Sequence, residues 1–130
     1  MAKTIYLMRH GRDDPVGGAL DEVGRAQVLA SAGRLKADLG SIDSVTVYHS
    51  PLQRAKESAE ILAEVLRPIN TQLVERPELG LGRFLVEEVA REIDSVGIII
   101  SHGPDLEAYA ETLANRDVYF GNAWFHRFKI

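Results

Sequence analysis

The pattern that most narrows the folds open to this chain is a series of short apolar runs that stop at polar residues and give way to helical spacing. Thr4-Ile5-Tyr6-Leu7-Met8 is β-branched, aromatic and apolar, so it reads as a buried strand whose end delivers Arg9 and His10 into a loop. Leu20 to Leu39 reads as a helix: Asp21 can cap it, Val23, Ala26, Ala30 and Leu35 form its apolar stripe, and Gly40 ends it. Val45-Thr46-Val47-Tyr48-His49 is a second strand, stopped by Ser50-Pro51. Ala55, Ala59, Leu62, Ala63 and Leu66 then recur at helical spacing until Pro68 closes the segment. Thr71 to Val74 is a third strand, and Phe84, Val86, Val89, Ala90 and Ile93 mark a shorter amphipathic helix. Val96-Gly97-Ile98-Ile99-Ile100 is continuously apolar, as a central strand covered on both faces must be. Pro104 suits the first position of the next helix, with Leu106, Tyr109, Ala110 and Leu113 as its buried face, and a last strand spans Ala123 to Ile130.

Strands alternating with helices predict an α/β three-layer sandwich: a mainly parallel sheet, helices on both faces and right-handed crossovers. With 130 residues, 45% of them hydrophobic, residues 1–130 fit a single domain with a core of its own. The chain has no cysteine, which excludes disulfides and thiolate metal sites and allows a reducing cytosol. Met1-Ala2-Lys3 leads straight into the first strand, leaving no room for a signal peptide, and no apolar run approaches the roughly 20 residues of a membrane span. A cytoplasmic protein without membrane contacts is expected. The net charge of -4, from 19 acidic and 15 basic residues, argues against a general nucleic-acid binder, so any positive field must be local.

Three strand ends carry polar groups of one chemical kind: Arg9-His10-Gly11, His49-Ser50-Pro51 with Arg54 a helical turn on, and Ser101-His102-Gly103-Pro104. In a parallel sheet such ends converge on one rim, where open α/β sheets bind ligands. Two histidines and two arginines there suit phosphoryl transfer, whose transition state spreads charge over three equatorial oxygens. Arginine serves better than lysine because its planar fork engages two phosphate oxygens at once, so Arg9 and Arg54 are the expected clamps. His10 is the expected nucleophile. It attacks phosphorus only as the neutral imidazole, a form that neighbouring guanidinium groups favour by like-charge repulsion. Gly11 leaves space beside His10, and a nearby backbone carbonyl can take one ring proton and fix the tautomer. His102 is the expected second imidazole, donating to the phosphoryl group, and the N-terminus of the helix near Pro104 adds partial positive charge. Gly11, Ser50 and Gly103 complete the expected substrate-binding positions.

Leu7-Met8-Arg9-His10-Gly11, Ser50-Pro51-Leu52-Gln53-Arg54-Ala55 and Ser101-His102-Gly103, in that order, resemble the histidine phosphatase (phosphoglycerate mutase-like) superfamily. Leu20-Asp21-Glu22-Val23-Gly24-Arg25-Ala26-Gln27 is similar to its Leu-Thr-x-x-Gly-x-x-Gln segment, with Asp in the Thr place. The resemblance implies a phosphoglycerate mutase-like fold in which His10 carries a transient phosphoryl group, Arg9 and Arg54 bind it, His102 completes the pocket, and no cofactor is needed. Mutases and larger phosphatases of the superfamily carry an acidic proton donor and a long insertion after the third strand. Here Glu75 to Asp94 is too short for a cap, so the pocket is expected to be shallow and open to a macromolecular surface. The size and the Ser-His-x-Pro pattern look most like the small phosphohistidine phosphatase branch, the SixA type.

An alkoxide leaving group needs a proton from a well-placed acid, whereas imidazole leaving from phosphohistidine needs less help. Weak acid provision thus favours a phosphorylated protein, with a small phosphate ester as the rival substrate. Glu78 is the best-placed candidate acid, with Asp13 and Asp14 behind it; the aspartate pair can instead set substrate preference by repelling anionic neighbours of the phosphate. A non-catalytic phosphate-binding module would have no need of an intact His10 and His102, and a mutase would need more basic residues to hold a second phosphate. His49 invites a metal reading with His10 and His102, but no two histidines have the short spacing of a zinc motif, so no metal is expected. His126 lies among Trp124 and Phe128 and reads as part of an alternating strand face. Neither Ser50 nor Ser101 sits in Gly-x-Ser-x-Gly, and Gly17-Gly18 and Gly80-x-Gly82 read as mobile loops rather than a nucleotide fingerprint.

Overall fold

Successive strand side chains go to opposite faces of a sheet, and strand β1 (Thr4–Arg9) divides a core in two on that rule. Tyr6 and Met8 enter one apolar cluster, Ile5 and Leu7 the other. The computed structural model describes residues 2–130. It orders five strands as β3-β2-β4-β1-β5, where β2 is Ser44–His49, β3 Asn70–Glu75, β4 Val96–Ser101 and β5 Phe125–Lys129. The first four run parallel, and β5 joins the β1 edge antiparallel. Helices α1 (Glu22–Leu39) and α2 (Gln53–Leu66) cover the first face; α3 (Val86–Ala90) and α4 (Asp105–Ala114) cover the second. The three-layer α/β sandwich read from the sequence is therefore the observed one, with no cap inserted after β3. Ile98, Ile99 and Ile100 of β4 are fully buried, as a strand sandwiched between two helical layers requires. Among the described residues no helix is long and apolar enough to cross a membrane.

Of the predicted apolar stripe of α1, Leu35 is buried as expected, but the rest of the face is rotated. Val23, Ala26 and Ala30 face solvent, and the buried residues are Gly24, Val28, Ser31, Ala32, Leu35 and Leu39. The reason is a close approach outside the helix: a Cβ on Gly24 would overlap the carbonyl oxygen of Arg12, so only glycine lets the loop after β1 lie on this helix. Asp21 does cap α1, accepting the Gly24 N–H at 2.6 Å, and the Gln27 carboxamide accepts the Arg12 N–H at 3.0 Å. Asp, Gly and Gln of the Leu20–Gln27 segment thus act together to seat the loop that follows His10.

Smaller departures also have local causes. α3 is only Val86–Ala90, because Phe84 is exposed at φ 53° and a 3₁₀ turn occupies Pro77–Leu79. Pro104 is the cap residue rather than the first residue of α4, and Tyr109 and Leu113 are half-buried. β5 begins at Phe125 rather than Ala123. The Gly80–Gly82 loop is anchored rather than loose: the buried Asp105 carboxylate accepts the N–H groups of Gly82 and Phe84 at 3.1 and 2.9 Å.

Candidate active site

Parallel pairing of β1 with β4 sets Arg9 beside Ser101, so the chains leave the sheet together and carry His10 and His102 to one place. Their ring centroids lie 5.0 Å apart. The turn Ser50–Leu52 after β2 starts α2, and Arg54 in its first turn reaches the same point. Its Nε–H donates to His10 Nε2 at 3.2 Å. Arg9, the last residue of β1, donates from Nη1 to the Phe120 carbonyl at 3.1 Å, while its Nε is buried without a partner. The structure therefore brings Arg9, His10, Arg54 and His102 to one rim.

The tautomer of His10 is fixed from both sides. Its Nδ1 lies 2.7 Å from the Gly11 carbonyl, which can only accept, so Nδ1 carries the proton. Arg54 Nε–H can only donate, so Nε2 offers its lone pair. Burial pushes the His10 pKa down to about 4, with Arg54 and Arg9 adding to the shift and the Gly11 bond and Asp13 opposing it. Burial is thus the largest cause, ahead of the guanidinium repulsion expected from the sequence. His102 is likewise pushed down to about 4, by burial first and by the charges of His10 and Arg54 next. At neutral pH both imidazoles are uncharged. His102 Nε2 lies 2.7 Å from Ser50 Oγ, and its Nδ1 is buried without a partner.

The glycines behave differently from expectation. Gly11 does not leave space beside His10: its own Cβ would stand 2.6 Å from the Gly24 carbonyl, and its N–H is already donated to Ser58 Oγ at 3.1 Å. A Cβ on Gly103 would meet the Glu107 carboxylate at 3.1 Å. Ser50 is fully buried, its oxygen accepting the Leu52 N–H at 3.2 Å as well as facing His102.

The three candidate acids separate clearly. Both Glu78 oxygens bond to Arg76, at 2.7 and 3.2 Å, and this pairing holds its carboxyl below the usual carboxylate range. Asp14 accepts the Val16 N–H within its own turn. Asp13 stands 3.9 Å from Arg54 Nε and acts on the titration of His10. Ser58 and Glu57 have no role in the sequence pattern. Ser58 bonds both the Gly11 N–H and the Arg54 carbonyl, and Glu57 accepts the Leu20 N–H, tying α2 to the loop before α1. The only sequence trace of Ser58 and Glu57 is their place one helical turn beyond Arg54 and Gln53.

The two remaining histidines have structural surroundings. His49 Nδ1 faces the Ser50 carbonyl at 2.9 Å; His126 Nε2 lies 2.8 Å from the Tyr119 carbonyl and its ring meets Phe120 edge-on at 4.7 Å. Among the described residues, no group of three or more His, Cys, Asp or Glu is arranged to hold a metal ion.

The chain matches the model of the histidine phosphatase superfamily (branch 1) over residues 5–84, a stretch that includes Arg9, His10 and Arg54. It belongs to that superfamily and is a histidine-type phosphatase. A SixA-type protein of Agrobacterium tumefaciens shares the fold with a TM-score of 0.79 at 17% identity, over 96% of this chain and 88% of that one. The protein histidine phosphatase SixA complexed with tungstate aligns with a TM-score of 0.70 at 22% identity, over 95% of this chain and 86% of the other. A phosphoglycerate mutase of Plasmodium falciparum gives a TM-score of 0.70 at 23% identity, covering 91% and 72%. No curated protein matches the chain significantly.

Proposed function

We propose that this chain, acting as one domain in the cytoplasm, removes phosphate from protein phosphohistidine through a phosphoryl intermediate on His10. The observation that carries the reading is the His10 Nε2 lone pair, held bare by the Gly11 carbonyl on the other ring nitrogen and kept neutral by burial. As the phosphoryl group enters, Arg54 exchanges its bond to His10 for phosphoryl oxygens. Arg9 Nε, buried without a protein partner, donates to the same group. Nε2 then attacks phosphorus: a P–N bond forms to His10 as the bond to the substrate imidazole breaks, and that ring, protonated by solvent on its other nitrogen, takes the bonding pair and leaves as neutral imidazole. Arg9, Arg54 and His102 stabilise the charge on the equatorial oxygens. Water then attacks the phosphoryl group on His10, releasing phosphate and restoring the bare Nε2.

Arg76 occupies the Glu78 carboxylate, which supports a leaving group that needs no strong acid. The short segment 76–95 between β3 and β4, with its small helices, supports access by a macromolecule. Asp13, beside Arg54, favours a second reading in which small phosphate esters are also turned over and Asp13 protonates the alkoxide. Parallel turnover of a phosphohistidine protein and p-nitrophenyl phosphate tests the choice. A higher kcat/KM on the phosphohistidine protein, little changed in Asp13→Asn, is expected; preference for the ester, lost in Asp13→Asn, makes the second reading the right one.

A further inference from the structure

The two ring nitrogens of His102 have different surroundings, and the difference decides where its proton sits. Nε2 lies 2.7 Å from Ser50 Oγ, whereas Nδ1 is buried and has no protein partner. Ser50 is itself fully buried, and its oxygen already accepts the Leu52 N–H at 3.2 Å. A serine hydroxyl has one proton to give and two lone pairs to receive. If Nε2 carried the imidazole proton, it would donate into the second lone pair, and the Ser50 hydroxyl proton would be buried with no acceptor. Leaving a buried donor unmade carries its full desolvation penalty. With the hydroxyl proton directed at Nε2, Ser50 is satisfied and the neutral His102 carries its single proton on Nδ1.

We infer that Ser50 is a positioning residue that holds His102 as the Nδ1–H tautomer, so that His102 meets a bound phosphoryl group with an N–H and not a lone pair. The inference rests on the phosphate-pocket reading above. Nε2 is engaged by Ser50, so Nδ1 is the ring nitrogen left to meet an anion. An N–H there stabilises charge developing on a phosphoryl oxygen, while a lone pair in the same place repels it. The two imidazoles are thus set for opposite work by two different neighbours. The Gly11 carbonyl bares Nε2 of His10 for attack; the Ser50 hydroxyl keeps Nδ1 of His102 protonated for donation.

Long-range ¹H–¹⁵N spectra of the whole ligand-free chain distinguish protonated from bare ring nitrogens, with His102 assigned by its loss in His102→Asn. At pH 7 the wild type is expected to show His102 protonated at Nδ1 and bare at Nε2. Ser50→Ala is expected to show both tautomers, and Ser50→Thr, which keeps the hydroxyl, to restore the wild-type pattern. A bare Nδ1 in the wild type, or an unchanged pattern in Ser50→Ala, overturns the inference. With inorganic phosphate as probe, Ser50→Ala is expected to bind about tenfold more weakly, with Ser50→Thr close to wild type. Equal phosphate affinity in Ser50→Ala and wild type contradicts the inference. Failure of the wild type itself to bind phosphate counts instead against the phosphate pocket, a separate result from the tautomer spectra.

Discussion

His10 and His49 share nearly the same immediate setting. Each stands at the carboxyl end of a parallel strand, each is 4% exposed, and each holds Nδ1 against the carbonyl of the next residue, at 2.7 and 2.9 Å. What differs is the company. β1 pairs with β4, so His10 meets His102 and, across the rim, Arg54; β2 sets His49 opposite Ile100 on one side and Glu75 on the other. Burial and a backbone bond to the ring are common to both places. Only the surrounding guanidinium groups and second imidazole make one of them fit for phosphoryl transfer.

The largest test of that contrast is substitution of the two histidines in turn. His10→Asn is expected to lower kcat by at least about 10³-fold, while His49→Asn changes it by less than about threefold. Similar losses at both positions, in variants that melt like the wild type, would erase the distinction. Arg54→Ala is expected to cost about 10²–10³-fold in kcat, as loss of one preorganised donor does. Arg54→Lys should recover part of this, because a point charge replaces the fork; full recovery would mean the bidentate geometry is idle.

The pH dependence sharpens the contrast next. In the unfolded chain a histidine takes up its proton near pH 6.5, whereas folded His10 and His102 wait until about pH 4. Between those values the unfolded state binds more protons, so stability falls as the pH drops through this window, by up to about 3 kcal/mol for each group. Denaturant midpoints measured from pH 7 to 4 should fall less steeply in His10→Asn than in wild type. Over the same range kcat/KM should hold level to about pH 5 and decline near 4; a break at 6.5 would show that His10 is not the buried neutral base described here.

The smallest effects concern how the loop after His10 is seated. Gly24→Ala places a methyl against the Arg12 carbonyl and is expected to destabilise by about 1–3 kcal/mol, as overpacking does. Gly33→Ala lies in the same helix with nothing near its Cβ, and is expected to stabilise by about 0.5–1 kcal/mol. Thermal melts of the pair measure both. A stable Gly24→Ala with full activity would mean the close contact is not what positions His10.

The rim was legible in the sequence because it needs only local facts. Arg9, His10 and His102 stand at or just past apolar strands and Arg54 in the first turn of a helix, and parallel strands carry such ends to one side. What escaped depended on contacts distant in the chain. Nothing near Val23, Ala26 and Ala30 reveals that the Gly24 backbone touches Arg12 and turns α1 by a notch. Nor does Pro77-Glu78-Leu79 show that Arg76 folds back onto Glu78 and holds it ionised. Gly11 reads in the sequence as space beside His10, yet its Cβ position is taken up by the Gly24 carbonyl of α1, a contact that nothing in the local sequence reveals.

The central claim is that His10, and not its near-equivalent His49, takes the phosphoryl group. Rapid acid-free quenching during turnover of a phosphohistidine protein, followed by peptide mass spectrometry, tests it directly. The account predicts an acid-labile phosphoryl group on His10 that vanishes in His10→Asn together with activity. Label on His49, or undiminished turnover in His10→Asn, would contradict it.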